Sequence, residues 1–366
     1  MSTPDRSDIP PIHFAPARGG RLAYQVFGQE GPPTIVAIPP LAQNIELAWE
    51  WPGVRVMLER FGSFSRYVCF DKRGTGCSDR RSQVPGLDER VDDLRAVMDH
   101  AGIGSAHLFG ASEGGAMTLL FAATYPERVE SVILSGSYAY AVPDGEDGEH
   151  SAERRERQAA FARAWGTSES PVVDLFAPSL AGDQAFRDWH QRYERYAASS
   201  DSLRDLLELS LVIDVREVLP TLDVPTLILH RTGDQAIPVE WSREMAAAIP
   251  GATLIEQDGI DHFNYVGDMD GWMDEIERFV TGTVQARSTA VIRHGVEIRT
   301  LGGFGVVVDG EEVPTSAWGS RRARQLCKRL VAARGWPVTR DELIDLLWPD
   351  EYDLRKLGAR LSVQLS

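Results

Sequence analysis

The chain has 366 residues, 43% of them hydrophobic, a formal net charge of -16 and three cysteines. That length suggests two domains or one large one, and that apolar fraction excludes a disordered chain. Cys69, Cys77 and Cys327 lie far apart without metal-ligand spacing, which points to a reducing compartment and away from a disulfide framework. Met1 to Pro11 is polar and lacks the apolar core of a signal peptide, and no apolar run reaches membrane-spanning length. The expectation is a cytoplasmic protein with no membrane partner. The charge is uneven. Residues 288–366 carry 12 Lys+Arg and 10 Asp+Glu, so the acidity sits in the larger N-terminal part.

In chain order, Ile12 to Pro16 and Leu22 to Phe27 read as two short strands joined through Gly19-Gly20. Thr34 to Ile38 is a buried strand ended by Pro39-Pro40. A helical stretch follows around Trp51 to Phe61, then the strand Tyr67 to Phe70 and the Gly-rich turn Asp71 to Gly76. Leu87 to Ala101 carries Val91, Leu94, Val97 and Met98 at helical spacing. Ala106 to Phe109 reads as a strand, Ala116 to Ala123 as a buried helix, and Ser131 to Leu134 as a strand. Alternation of this kind predicts a parallel sheet covered on both faces. It breaks at Tyr138 and resumes at Val224. The interval is helical, rich in Arg, Asp and Ala, and carries Trp165, Phe176, Trp189, Tyr193 and Tyr196. It reads as an insertion over the carboxyl edge of the sheet. Its aromatics are expected to form its own core in preference to lining an apolar acyl pocket, and His190 to be a surface or packing residue in preference to facing that pocket. Thr226 to Leu229, a helix from Trp241 to Ile249, the strand Ala252 to Ile255 and a helix from Gly271 to Val280 complete this part.

Between the strand at Phe109 and the helix at Ala116 stands Gly110-Ala111-Ser112-Glu113-Gly114-Gly115. Gly-x-Ser-x-Gly between a strand and a helix is the setting of a nucleophile elbow, in which the flanking residues must be small. Serine needs a base, and the base needs an orienting acid. In chain order after such a serine come the acid and then the histidine. The loop Ser135-Gly136-Ser137 holds no carboxylate. The loop after Leu229 holds Asp234, and the loop after the next strand holds His262. Ser112, His262 and Asp234 are therefore the expected triad. The oxyanion hole needs two backbone N–H groups. One is expected from Glu113. The other is expected from Leu41, the first residue after Pro39-Pro40 that has an N–H. The Glu113 carboxylate must then point away from the developing anion. No cofactor and no metal is expected.

These residues resemble the α/β-hydrolase superfamily from about Ile12 to Gly282. Asp71-Lys72-Arg73-Gly74-Thr75-Gly76, Ser112-Glu113-Gly114-Gly115 and Phe121 to Arg128 are similar to bacterial hydrolase modules fused to regulatory domains. The resemblance implies an α/β fold with an eight-stranded, mostly parallel sheet, a helical lid over about 138–222, and ester hydrolysis. Serine at the elbow argues against the haloalkane dehalogenase and epoxide hydrolase branches.

Residues 283–295 read as a linker. Beyond it, Glu297 to Val308 contains several glycines among apolar residues, and Asp309-Gly310 is a hairpin signal. Ala323, Leu326, Cys327, Leu330 and Val331 share one helical face. Thr339 to Glu342 is a capping box opening a helix that Pro349 stops. Trp318 to Leu326, and Gly335 to Ile344 followed by Leu347-Trp348-Pro349, resemble the winged helix-turn-helix of response-regulator type found in actinobacterial antibiotic-pathway activators. That resemblance implies a small sheet, three helices and a wing, with the third helix entering the DNA major groove. Leu354, Leu357, Leu361 and Leu365 form one apolar face, while Arg355, Lys356, Arg360 and Gln364 are the expected DNA-binding residues. The chain stops inside that third helix, so a truncated domain without its wing is expected.

The reading is a ligand-responsive transcription regulator whose partners are a small-molecule ester or lactone, double-stranded DNA and a second copy of the chain. A serine esterase or lactonase with an incidental tail, and a receptor that binds without turnover, remain open alternatives.

Overall fold

The computed structural model describes residues 9–80, 84–142, 148–284, 296–300, 303–308, 311–318, 320–333, 338–349, 351, 357, 360 and 361. The chain divides into two compact units between Val284 and Gln285.

The larger unit begins with β1 (His13–Ala17), β2 (Gly20–Gly28) and β3 (Thr34–Ile38), followed by α1 (Pro52–Phe64) and β4 (Arg66–Phe70). Next come α2 (Leu87–His100), β5 (Ala106–Ala111), α3 (Gly114–Thr124) and β6 (Val129–Ser135). Four helices then interrupt the alternation: α4 (Gly148–Ala164), α5 (Val172–Phe176), α6 (Gln184–Ala197) and α7 (Ser200–Ser210). The sheet resumes with β7 (Thr226–Arg231), α8 (Val239–Ala248), β8 (Thr253–Gln257) and α9 (Met269–Thr281).

The eight strands are ordered β1-β2-β4-β3-β5-β6-β7-β8. β1–β2 and β2–β4 are antiparallel, and every later pair is parallel. The six strands β4, β3, β5, β6, β7 and β8 thus end at one edge. Their runs Thr34–Ile38 and Thr226–Arg231 are buried throughout, as strands covered on both faces must be. Two apolar cores lie on the two faces. One gathers Leu94, Met98, Leu108, Leu119 and Phe121. The other gathers Phe61, Tyr67, Phe109, Trp272 and Ile276. α3 is apolar on nearly every side and is buried along its length, which fixes it under the sheet edge.

In the smaller unit β9 (Val296–Arg299), β10 (Gly305–Val308) and β11 (Glu311–Glu312) form an antiparallel sheet in the order β11-β10-β9. α10 (Arg321–Ala332) is capped by the Ser320 side chain, and α11 (Arg340–Leu347) by the Thr339 hydroxyl, which accepts the Glu342 N–H at 3.2 Å. Leu326, Leu343, Ile344, Leu347, Trp348, Leu357 and Leu361 form its core. Of the apolar positions expected on a third helix, Leu357 and Leu361 are buried, while Leu354 and Leu365 lie outside the described residues.

Candidate active site

Ser112 sits between β5 and α3 with φ at +54°, the left-handed region that a serine enters only under local constraint. Its neighbours impose the constraint. A Cβ on Gly110 would lie 2.3 Å from Thr118 Oγ1, and one on Gly114 would lie 2.7 Å from the Ile38 carbonyl. Only glycines allow β5, α3 and the end of β3 to approach so closely. The Ser112 N–H donates to the Ser135 carbonyl at 3.0 Å, and the Ser137 hydroxyl donates to the Ser112 carbonyl at 2.7 Å. Ser137 follows β6 and was not legible as a site residue, because a serine in a Gly-Ser loop is ordinary.

His262 and Asp234 come from the loops after β8 and β7. His262 Nδ1 lies 2.6 Å from Asp234 Oδ2, while Asp234 Oδ1 accepts the N–H groups of Ala236 at 2.8 Å and Ile237 at 3.1 Å. Burial raises the Asp234 pKa, but the His262 hydrogen bond and charge, with the Ile237 N–H, outweigh it and hold the carboxyl below its ordinary value. A second histidine, His230, lies 3.6 Å from the same carboxylate oxygen. Burial lowers its pKa, and it is held by Ser242 and the Ile237 carbonyl.

The His262 loop hangs on Arg231. This buried guanidinium donates to the Asp261 carbonyl at 2.8 Å, the Phe263 carbonyl at 3.0 Å and the Val266 carbonyl at 2.5 Å. From above, the Phe176 carbonyl at the end of α5 accepts the N–H groups of both His262 and Phe263. The Phe176 ring stands edge-on to the imidazole at 5.1 Å. The helical insertion and the His262 loop are thus hydrogen-bonded to each other.

Glu113 is 3% exposed, and its carboxylate is held by Lys72 Nζ at 3.0 Å and Arg90 Nη1 at 2.5 Å. It points away from the cavity, as the backbone role expected of this residue requires. Burial would raise its pKa, but the two cations hold it below the usual carboxylate range. Leu41 lies in the turn after β3 and lines the same cavity as Ser112 and His262. That turn is tied to β4. Gln43 Nε2 donates to the Phe70 carbonyl at 2.7 Å, and the Ile45 N–H reaches the buried Asp71 carboxyl at 3.2 Å.

The cavity has a volume of about 200 Å³. Sheet-edge residues line one side of it. Phe161, Trp165, Val172, Phe176, Trp189 and Tyr193 of the insertion line the other. These aromatics serve both places: Phe161, Trp165, Phe176 and Tyr193 pack in the core of the insertion and line the cavity, and Trp189 packs on Trp51 and faces the cavity as well. His190 is buried, and it too is a cavity-wall residue. Among the described residues no cluster of ligands could hold a metal ion. No described helix is long and apolar enough to cross a membrane.

Of the residues expected to meet DNA, Arg355, Lys356 and Gln364 lie outside the described residues. Arg360 is described. It pairs with Glu351 and lies over the Trp348 ring at 4.8 Å, so its charge is partly committed within the unit rather than standing free on an open basic face.

The family pattern described as the alpha/beta hydrolase fold matches residues 65–268. The 3-oxoadipate enol-lactonase 2 of Acinetobacter baylyi is 24% identical over 252 residues, covering 67% of this chain and 89% of that protein. Among solved structures, a hydrolase from Pseudomonas aeruginosa PA01 superposes with a TM-score of 0.63 at 23% identity, covering 74% of this chain and 98% of that one. The enol-lactonase from Burkholderia xenovorans LB400 gives a TM-score of 0.61 at 23% identity, covering 74% and 100%. With a serine elbow at the carboxyl edge of an eight-stranded sheet and a pattern match over more than half its length, the chain belongs to the α/β-hydrolase fold family.

Proposed function

We propose that Ser112, His262 and Asp234 hydrolyse a small ester or lactone. The observation that carries this is the His262–Asp234 contact of 2.6 Å on the wall of the cavity that also holds the strained Ser112. Asp234 keeps the hydrogen of His262 on Nδ1, which leaves Nε2 free to take the Ser112 proton as Oγ attacks the carbonyl carbon. The oxyanion forms where the N–H groups of Glu113 and Leu41 supply donors. His262 then returns the proton to the leaving oxygen, and water repeats the sequence on the acyl-enzyme. The enol-lactonase relatives support the substrate class. A fluorophosphonate probe should label Ser112, and Ser112→Ala should abolish both labelling and hydrolysis of a short aryl ester. Turnover surviving in Ser112→Ala would end the assignment.

We further propose that the smaller unit binds double-stranded DNA and that occupancy of the cavity alters this binding. Support comes from a three-stranded sheet followed by two side-chain-capped helices on one apolar core, together with the resemblance at Trp318 to Leu326 and Leu347-Trp348-Pro349. A DNA titration of the Ser112→Ala protein, with and without a bound non-cleavable ketone, tests the coupling. It should be run at two salt concentrations, because phosphate contacts are salt-dependent. Ligand can shift the curve only if it binds the two states unequally. Superimposable curves would separate the two units functionally.

A further inference from the structure

Helix α6 places two polar side chains one turn apart, His190 and Glu194, with side chains 3% and 1% exposed. His190 Nδ1 lies 2.8 Å from Glu194 Oε1. The same carboxylate accepts from the Ser170 hydroxyl at 3.0 Å and from the Gly166 N–H at 2.5 Å. A carboxylate ringed by three donors accepts from all of them, so the hydrogen on this edge of the imidazole sits on Nδ1. Glu194 therefore fixes the tautomer of His190, as Asp234 fixes that of His262.

The other edge is what matters. His190 lines the catalytic cavity, and its Nε2 has no hydrogen-bond partner among the described residues. Several other polar groups on this wall are engaged, while Trp189 Nε1 is buried there without a hydrogen-bond partner among the described residues. Asn264 Oδ1 accepts from the Ser135 hydroxyl, the Tyr193 oxygen accepts the Asn44 N–H, and Asn44 Oδ1 accepts the N–H groups of Glu46 and Leu47. The rings of Phe186, Trp189, Tyr193 and Phe263 enclose the imidazole. A lone pair held in one orientation on the wall of an apolar cavity is a directed acceptor for a ligand that enters it.

We propose that His190, oriented by Glu194, is a recognition subsite for a hydroxyl group carried by the substrate away from its scissile carbonyl. A hydroxyl suits this position in either state of the ring. It donates to Nε2 when the imidazole is neutral and accepts from Nε2–H when it is protonated. A carboxylate suits only the protonated ring and would sit close to the charge of Glu194. The subsite rests on the hydrolase reading for the word substrate, but not for its existence, so the test has a binding arm independent of turnover.

The probes are p-nitrophenyl esters of straight-chain acids, in pairs matched for length, with and without a terminal hydroxyl. At the length that reaches the subsite, kcat/KM should favour the hydroxylated ester by about tenfold or more, because a site built to hydrogen-bond a hydroxyl discriminates against its absence. His190→Asn keeps a donor near the Nδ1 position for Glu194 and removes Nε2. In this variant the ratio between the paired esters should collapse toward one. Equal loss on both esters, with the ratio intact, would make His190 a structural residue and overturn the proposal. So would the absence of any preference at every length in the unaltered protein. In the binding arm, the matched methyl ketones are titrated calorimetrically into two proteins, the Ser112→Ala single variant and the double variant that adds His190→Asn. A hydroxyl preference that vanishes with His190→Asn supports the subsite even if no ester is turned over; indistinguishable affinities of the single variant for the paired ketones refute it even if Ser112 proves catalytic.

Discussion

The Lys72 ammonium lies 3.0 Å from the Glu113 carboxylate, and both side chains are almost fully buried directly behind the residue proposed as nucleophile. Arg90 shares the same carboxylate oxygen. One anion thus serves two cations, and burial, with Arg90 adding to it, pulls the Lys72 pKa down to about 8 against the pull of Glu113. Removing the anion strands two buried positive charges. Glu113→Ala should therefore destabilise the larger unit by about 3–5 kcal/mol, measured by urea denaturation. The proposed oxyanion donor at this position is a backbone N–H, so the folded fraction should retain far more activity than Ser112→Ala. A folded Glu113→Ala protein as inactive as Ser112→Ala would give the carboxylate itself a role in the chemistry.

Asp234→Asn should leave the fold intact and cost on the order of a thousandfold or more in kcat. The amide can hold the His262 ring but favours the wrong tautomer, with hydrogen on Nε2 facing Ser112. Steady-state kinetics on an aryl ester, alongside circular dichroism, measures this. A loss below about tenfold would indicate that another group orients His262.

Arg231 holds three carbonyls of the loop that carries His262. Arg231→Lys retains the positive charge but cannot span all three acceptors. We expect kcat to fall about 10- to 100-fold, since small displacements of a catalytic group are expensive, with a smaller change in KM. An unchanged kcat would mean that the Phe176 carbonyl and the surrounding packing are enough to hold the loop.

Burial raises the Asp71 pKa to about 7, opposed by the N–H groups of Cys77 and Ile45 and by Arg80. The unfolded chain titrates near the ordinary value of 3.8. Between those values the folded state binds the extra proton. Stability from this group is therefore complete below about pH 4 and is lost as the pH rises through about 7. In Asp71→Asn that component of the pH dependence should disappear, changing the slope by about 1 kcal/mol per pH unit within the window. Urea midpoints across that range test it; parallel profiles would show that the titrating group lies elsewhere.

The strands and the elbow motif were legible in the one-dimensional chain, as were the loops that carry the residues of the proposed triad. Buried parallel strands are built on apolar runs, as Ile35–Ile38 and Leu227–Leu229 are, and a turn as tight as the one at Ser112 admits only glycine at Gly110 and Gly114. Loop position follows from strand direction, so Asp234 and His262 could be assigned to one edge once the sheet was parallel. The residues that support the site were not legible in this way. Lys72, Arg90 and Glu113 are distant in sequence; the Glu113 carboxylate was expected to turn away from the anion, but nothing in the sequence named the two cations that folding buries against it. Arg231 is the last residue of β7 and gives no local sign that it donates to a loop 30 residues onward. His190 read as a surface or packing residue in preference to a pocket residue, because a lone histidine on a helix does not show whether its face meets solvent, a core or a cavity. Periodicity and turn chemistry act between near neighbours in the chain and can be read there. Which buried polar atom finds a partner is settled only by contacts between distant segments, and those exist only in the folded molecule.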